Sequence, residues 1–203
     1  KPITLDGNGY KLTSSAPRAI NVSEASGVTI KDLTIVASGE RAINVINNST
    51  DVVIDGVVAQ AANYAVNVAG SAAGAKVTIV NSDLTGLNTV NVAAKNVLVT
   101  VKDSTILCDD QTPVENYSAL ALAVEAEGSK IIATNTAITV NGDSAKGSVG
   151  CENGTITIDG SESGVVKAVA YISYGNTAYT FTSLEEAIAK AEAGEVIELI
   201  NNI

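Results

Sequence analysis

Four asparagines recur at nearly one spacing. Asn21, Asn44, Asn67 and Asn91 lie 23, 23 and 24 residues apart. They sit in RAINV at 18–22, RAINV again at 41–45, YAVNV at 64–68 and TVNV at 89–92. A carboxamide offers donors on its nitrogen and an acceptor on its oxygen, so a regular row of them suits two chemistries. Facing solvent, the amides would hydrogen-bond the hydroxyls of an extended glycan. Facing one another, they would bond into a ladder that stiffens the stack. Because each Asn stands between apolar residues, alternation predicts that its side chain points outward.

Arg18 and Arg41 are the only arginines and share one repeat position. On neighbouring strands about 5 Å apart, two such cations repel by about 1 kcal/mol in water. Together they could grip a carboxylate, sulfate or phosphate, or be balanced by Glu24 or Glu40. A third candidate is the insertion ILCDDQTPVENYSAL (106–120), where the repeat lengthens from 24 to 30 residues. Asp109, Asp110 and Glu115 are hard oxygen ligands of the kind Ca²⁺ takes, though they match no dedicated calcium loop. Tyr117 offers a ring for a sugar to stack on. A fourth is a threonine row, Thr4, Thr29, Thr78, Thr100 and Thr157, broken at Val53 and Ala133. A flat threonine face can order water as ice-binding solenoids do, and threonine is also simply a good strand residue.

The chain contains no histidine, which removes Ser-His-Asp and Cys-His catalysis and every His-ligated metal. Cys108 and Cys151 lack zinc-site spacing. Alternation turns both inward on coils about two apart, beyond disulfide reach, so buried thiols are expected. The net charge of −10 and pI near 4.4 make nucleic acid and anionic lipid poor partners. No run is long and apolar enough to insert into a membrane. No signal peptide opens the sequence, so any targeting signal is expected outside these residues.

The elements that must position these groups follow from the period. A repeat of 23–24 residues marks a solenoid in which each repeat is one coil. Each coil holds three short β-branched pieces, such as VTI (28–30), LTIV (33–36) and INV (43–45). Gaps of two or three residues between them suit corners rather than hairpins. The prediction is an all-β, single-stranded, right-handed parallel β-helix of about seven coils over residues 1–168. Its core must be Val, Ile, Leu and Ala, because Phe181 and six Tyr are the only aromatic residues. Asp32, Gly56, Asn81, Asp103 and Asn135 fall just beyond one strand of successive coils, where left-handed backbone is tolerated. Residues 169–203 break the pattern. VAYISYGNTAYTF (169–181) reads as a hairpin turning at Gly175-Asn176. Ser183 and Glu186 form a capping box ahead of a helix that Gly194 stops, and EVIELI (195–200) reads as a strand.

Strings such as GVTIKDLTI (27–35), DVVIDGVV (51–58) and ITLDGNGYKL (3–12) resemble coils of the pectate-lyase-like right-handed parallel β-helix superfamily. In that superfamily's polysaccharide lyases the face equivalent to the Asn row holds the sugar chain. The resemblance implies a secreted or cell-surface bacterial protein, with glycans or host and cell-surface proteins as partners. It also implies that 169–203 either caps this solenoid or begins a tandem neighbouring β-helix unit. A lyase site would need Ca²⁺ and an Arg or Lys base, and the face positions Asn21, Asn44, Asn67, Asn91, Ala121 and Gly150 supply neither base nor anionic ligand. The expected function is a non-catalytic structural or adhesive module without cofactor, touching glycans through the Asn/Arg face. The alternative is a polysaccharide lyase or glycoside hydrolase of the same fold, with an Arg18 or Arg41 base and Ca²⁺ on the loop carboxylates.

Overall fold

The structure is a computed structural model and describes residues 2–109, 120–141, 149–151, 153–162, 169–174, 177–181 and 183–199. The first coil runs through β1 (Ile3–Asp6), β2 (Lys11–Ser14) and β3 (Arg18–Ser23), the second through β4 (Ser26–Lys31), β5 (Thr34–Ala37) and β6 (Arg41–Ile46). The third is β7 (Thr50–Asp55), β8 (Val58–Ala61) and β9 (Tyr64–Val68), and the fourth β10 (Lys76–Val80), β11 (Asp83–Gly86) and β12 (Asn88–Val92). The fifth is β13 (Leu98–Lys102), β14 (Thr105–Cys108) and β15 (Leu120–Val124), and the sixth β16 (Lys130–Thr134), β17 (Ala137–Val140) and β18 (Val149–Cys151). One more strand, β19 (Thr155–Ile158), extends the first sheet. Every third strand pairs in parallel, which gives one seven-stranded and two six-stranded sheets wrapped into a parallel β-solenoid.

The solenoid makes about six turns rather than the seven expected from the sequence. After β19 the chain doubles back. Ile158 bridges antiparallel to Ser161 across Asp159 and Gly160, both at positive φ. Among the described residues no strand after β19 joins the second sheet.

Register explains the core. Val28, Val52, Val77, Val99, Ile131 and Ile156 stack as one column, and Ile30, Ile54, Ile79 and Val101 as another. Each is buried, and β-branched side chains stiff at χ1 fill such columns with little rotamer entropy to lose. Cys108 and Cys151 point into this core as buried thiols, with Cys108 Sγ donating to the Leu87 carbonyl at 3.2 Å.

The predicted corner is present at every position. Asp32, Gly56, Asn81, Asp103 and Asn135 all have φ between 48° and 62°. Their side chains bond along the stack, Asn81 to Asp55 at 3.0 Å and Asn135 to Asp103 at 2.6 Å. Bonding the corner carboxamide to the next coil offsets part of the cost of left-handed backbone.

The C-terminal segment forms its own small layer. Strands β20 (Ala170–Tyr174), β21 (Thr177–Phe181) and β22 (Ile197–Leu199) make an antiparallel sheet in the order β21-β20-β22. Helix α1 (Leu184–Lys190) begins at Ser183, whose hydroxyl accepts from the Glu186 amide at 3.0 Å. Gly194 does not end the helix. The last turn closes at Ala191, whose backbone is extended, and Gly194 at φ 98° serves the turn into β22. Ala170, Ile172, Phe181 and Ala187 form a separate core, which Leu87 of the solenoid packs against. The expected turn at Gly175-Asn176 lies outside the described residues.

Candidate functional site

The third sheet, β3-β6-β9-β12-β15-β18, carries the candidate groups. Its inward positions are Ile43 and Val45 and their equivalents. Its outward positions are Ala42 and Asn44 in β6, Ala65 and Asn67 in β9, and Thr89 and Asn91 in β12. A strand exposed on one face alternates between buried and open residues. From β6 onward this sheet does not, and nearly every residue is buried.

The asparagines are in exact register along the stack: Asn21 pairs with Asn44, Asn44 with Asn67 and Asn67 with Asn91. Each amide donates to the oxygen before it. Asn44 Nδ2 reaches Asn21 Oδ1 at 3.0 Å, Asn67 Nδ2 reaches Asn44 Oδ1 at 2.8 Å, and Asn91 Nδ2 reaches Asn67 Oδ1 at 3.1 Å. Asn21 is open to solvent, while Asn44, Asn67 and Asn91 are 0, 4 and 4 % exposed. The solvent-facing row expected from alternation is therefore corrected. The side chains do leave the strand on the outer side, but that side is closed and the amides bond one another. Local alternation reports which way a side chain points and not whether something covers it.

A second amide step lies at the edge of the same sheet. Asn88 Nδ2 donates to Asn63 Oδ1 at 3.1 Å, and Asn88 Oδ1 accepts from the Leu120 amide at 3.2 Å. The row itself continues from Asn91 to Ala123 and Gly150. Ala123, not Ala121, is thus the next member, because the insertion before β15 is two residues longer than the sequence repeat suggests.

Arg18 and Arg41 are register partners, as their shared position predicts. Their surroundings differ. Arg18 is exposed. Arg41 pairs with Glu40 at 2.9 Å and lies over the Tyr64 ring at 5.4 Å from its centroid, while its Nε is buried without a hydrogen-bond acceptor. Glu40, Glu125 and Arg41 all act on Tyr64. Burial raises the Tyr64 pKa above its ordinary value, with Glu125 adding to the rise. The Glu125 carboxyl is also raised, chiefly by desolvation, although part of the residue remains exposed and the Asn91 amide counters the rise. An anion placed against Arg41 would meet the Glu40 carboxylate already paired with it.

Of the insertion, Asp109 is half-buried and its backbone amide donates to the Gly86 carbonyl at 2.9 Å. Asp110, Glu115 and Tyr117 lie outside the described residues. Among the described residues no three His, Cys, Asp or Glu side chains gather into a group that could hold a metal, and no helix is long and apolar enough to cross a membrane. The threonine row on the first sheet is interrupted at Val53 and at Ile132. The second break is not Ala133, which is buried in the core.

One set of polar groups was missed. Ser82 accepts from the Val57 amide and donates to the Val80 carbonyl, while Ser104 accepts from the Ser82 amide and donates to the Lys102 carbonyl. Ser49 and Ser129 do the same at another corner, accepting from Ala25 and Val97 and donating to Val22 and Ala94. These hydroxyls satisfy backbone groups where the coil turns and no strand can. Serines just after an Asx or Gly residue were the available signal. No family model, curated protein or solved structure matches the chain.

Proposed function

We propose that this chain is a non-catalytic structural module of a secreted or cell-surface bacterial protein, built on a β-helix of the pectate-lyase-like type. It acts as a rigid spacer that holds other parts of its parent, including tandem neighbouring β-helix units, at a fixed distance. The observation that carries this proposal is the asparagine ladder. Side chains that a binding face would present to ligand are instead spent on one another, coil to coil, at 2.8–3.1 Å. Polar groups committed in this way stiffen the stack. Of the candidate groups described on that sheet, Asn21 and Arg18 remain open for adhesive contact with a glycan or a host protein.

The test is incubation of the purified protein with a panel of acidic and neutral polysaccharides, with and without Ca²⁺, followed by assay of unsaturated and reducing ends. A glycan array would be run in parallel on wild type, Arg41→Ala and Asn44→Ala. The expected result is no cleavage, and no array signal that either variant selectively removes. Ca²⁺-dependent release of unsaturated oligosaccharides would overturn the proposal in favour of a polysaccharide lyase. Selective glycan binding lost in both variants would make the third sheet a recognition surface.

A further inference from the structure

The first sheet carries its charge unevenly. Strands β1, β4 and β7 hold Asp6, Asp51 and Asp55, and Lys31 among them is taken up by Asp6 at 2.8 Å and Asp32 at 3.3 Å. Strands β10, β13 and β16 differ. Their inward residues are buried in the core. On the outer side they carry Lys76, Lys102 and Lys130, all exposed, and no carboxylate. The chain has 22 acidic residues against 12 basic ones, so three lysines on one face without an acidic residue among them run against its composition. Lys102 meets the exposed Asp103 of the adjoining corner at 3.6 Å. Lys76 and Lys130 form no ion pair among the described residues.

Register sets these lysines out. Lys76 pairs with Leu98, and Leu98 with Lys130, which puts the two lysines two coils, or about 10 Å, apart along the axis. Lys102 lies on the strand between them, about 13 Å across the face from Leu98. Thr78 stacks on Thr100, and Lys102 on Thr134. Ile132 follows Thr100 in its column and is 37 % exposed. Positions on a parallel stack keep this arrangement without side-chain searching, because each strand is held by its neighbours on both sides.

We infer that this face binds a sulfated glycan laid along the solenoid, its sulfates on Lys76, Lys130 and Lys102. An ammonium is a compact point charge that suits a sulfate, whereas the planar fork that grips carboxylates belongs to arginine, and these strands hold none. The Thr78, Thr100 and Thr134 hydroxyls both donate and accept, as sugar hydroxyls require. Leu98 and Ile132 give the apolar side of a sugar ring a surface to lie on. These strands carry no aromatic residue, so nucleic-acid bases find nothing on them to stack against. The inference concerns the first sheet alone and stands whether or not the module cleaves a substrate.

Isothermal titration of the whole chain with a heparin hexasaccharide, up to about 1 mM, tests it. Wild type should bind, and added salt should weaken the binding because the lysines are exposed. Dextran, polygalacturonate and oligothymidylate should not bind under the same conditions. Lys76→Gln combined with Lys130→Gln should raise the dissociation constant at least about tenfold. Thr100→Glu, which sets a carboxylate among the lysines, should abolish binding. Lys11→Gln combined with Lys190→Gln makes the same change in net charge away from this face and should bind as wild type does. Circular dichroism reports the strand signal of each variant, and if Thr100→Glu misfolds, Lys102→Gln added to the first pair replaces it. A wild type that takes up no heparin would overturn the inference. So would a Lys76→Gln, Lys130→Gln double variant that binds like wild type. Polygalacturonate or oligothymidylate bound as tightly as heparin would also overturn it, since the face would then answer to charge alone.

Discussion

Replacing Asn67 by alanine removes the middle rung of the asparagine ladder. Asn67 donates to Asn44 at 2.8 Å and accepts from Asn91 at 3.1 Å, and all three residues are nearly closed to solvent. The substitution leaves the Asn44 oxygen without that donor and the Asn91 nitrogen without that acceptor, both where water is excluded. Each buried polar group stranded in this way costs about 1–3 kcal/mol. The expected loss for Asn67→Ala is therefore about 2–5 kcal/mol. Asn21→Ala is the internal control. Asn21 is the exposed end of the same ladder and accepts a single bond from Asn44, so its loss strands one buried group, the Asn44 nitrogen, rather than two, and should cost about half as much, about 1–3 kcal/mol. Equilibrium urea denaturation of the two variants, followed by circular dichroism, measures the difference. Asn44→Ala combined with Asn67→Ala should fall short of the sum of the singles by at least about 0.5 kcal/mol, because the two share a bond. If Asn67→Ala costs no more than Asn21→Ala, the ladder is not structural and the reasoning fails.

Two further substitutions probe the electrostatics and the backbone. The Glu125 pKa is raised in the folded state, mainly by desolvation, so the folded protein holds its proton to higher pH than the unfolded chain. Stability should then decline as pH rises from the unfolded value of Glu towards the raised folded value, and Glu125→Gln should remove that decline and stabilise the protein at neutral pH. Titration of the carboxyl by NMR, with urea midpoints across the same pH range, checks both parts. At Gly39 a Cβ would lie 2.1 Å from the Ala16 carbonyl oxygen of the coil before. Gly39→Ala should therefore cost about 1–3 kcal/mol through forced separation of the coils, and a thermal midpoint unchanged from wild type would refute the close approach.

What could be read from the sequence was whatever local chemistry decides. The 23-residue period fixed which strands stack, and the Asx and Gly corner positions were each found in left-handed backbone because few other residues accept it. The candidate face was less legible. Asn44 looks outward by alternation, yet it is closed to solvent and bonded into the ladder, which local pattern does not reveal. The break at Ile132 was misplaced by one residue because IIAT contains two adjacent isoleucines and only pairing with Val99 and Thr100 reveals which faces the core. The serine clasps were overlooked because a serine at a corner also reads as an ordinary turn residue. The turn at Asp159-Gly160 was present in the sequence, yet nothing local showed that it reverses the chain rather than turning another corner.

The direction of the hydrogen bonds bears on how such a rod would carry a load. In this solenoid the strands lie across the long axis, so both the backbone bonds between coils and the Asn ladder run along it. Tension between the two ends pulls each bond along its own length and strains the coils in series, one interface after another. Bonds loaded this way part by peeling, a few at a time, rather than by the simultaneous rupture that shearing long parallel strands demands. A spacer of this design resists bending and compression better than extension. Under a steady pull it would lengthen coil by coil from the weaker end, each released coil paying out slack that shields the next.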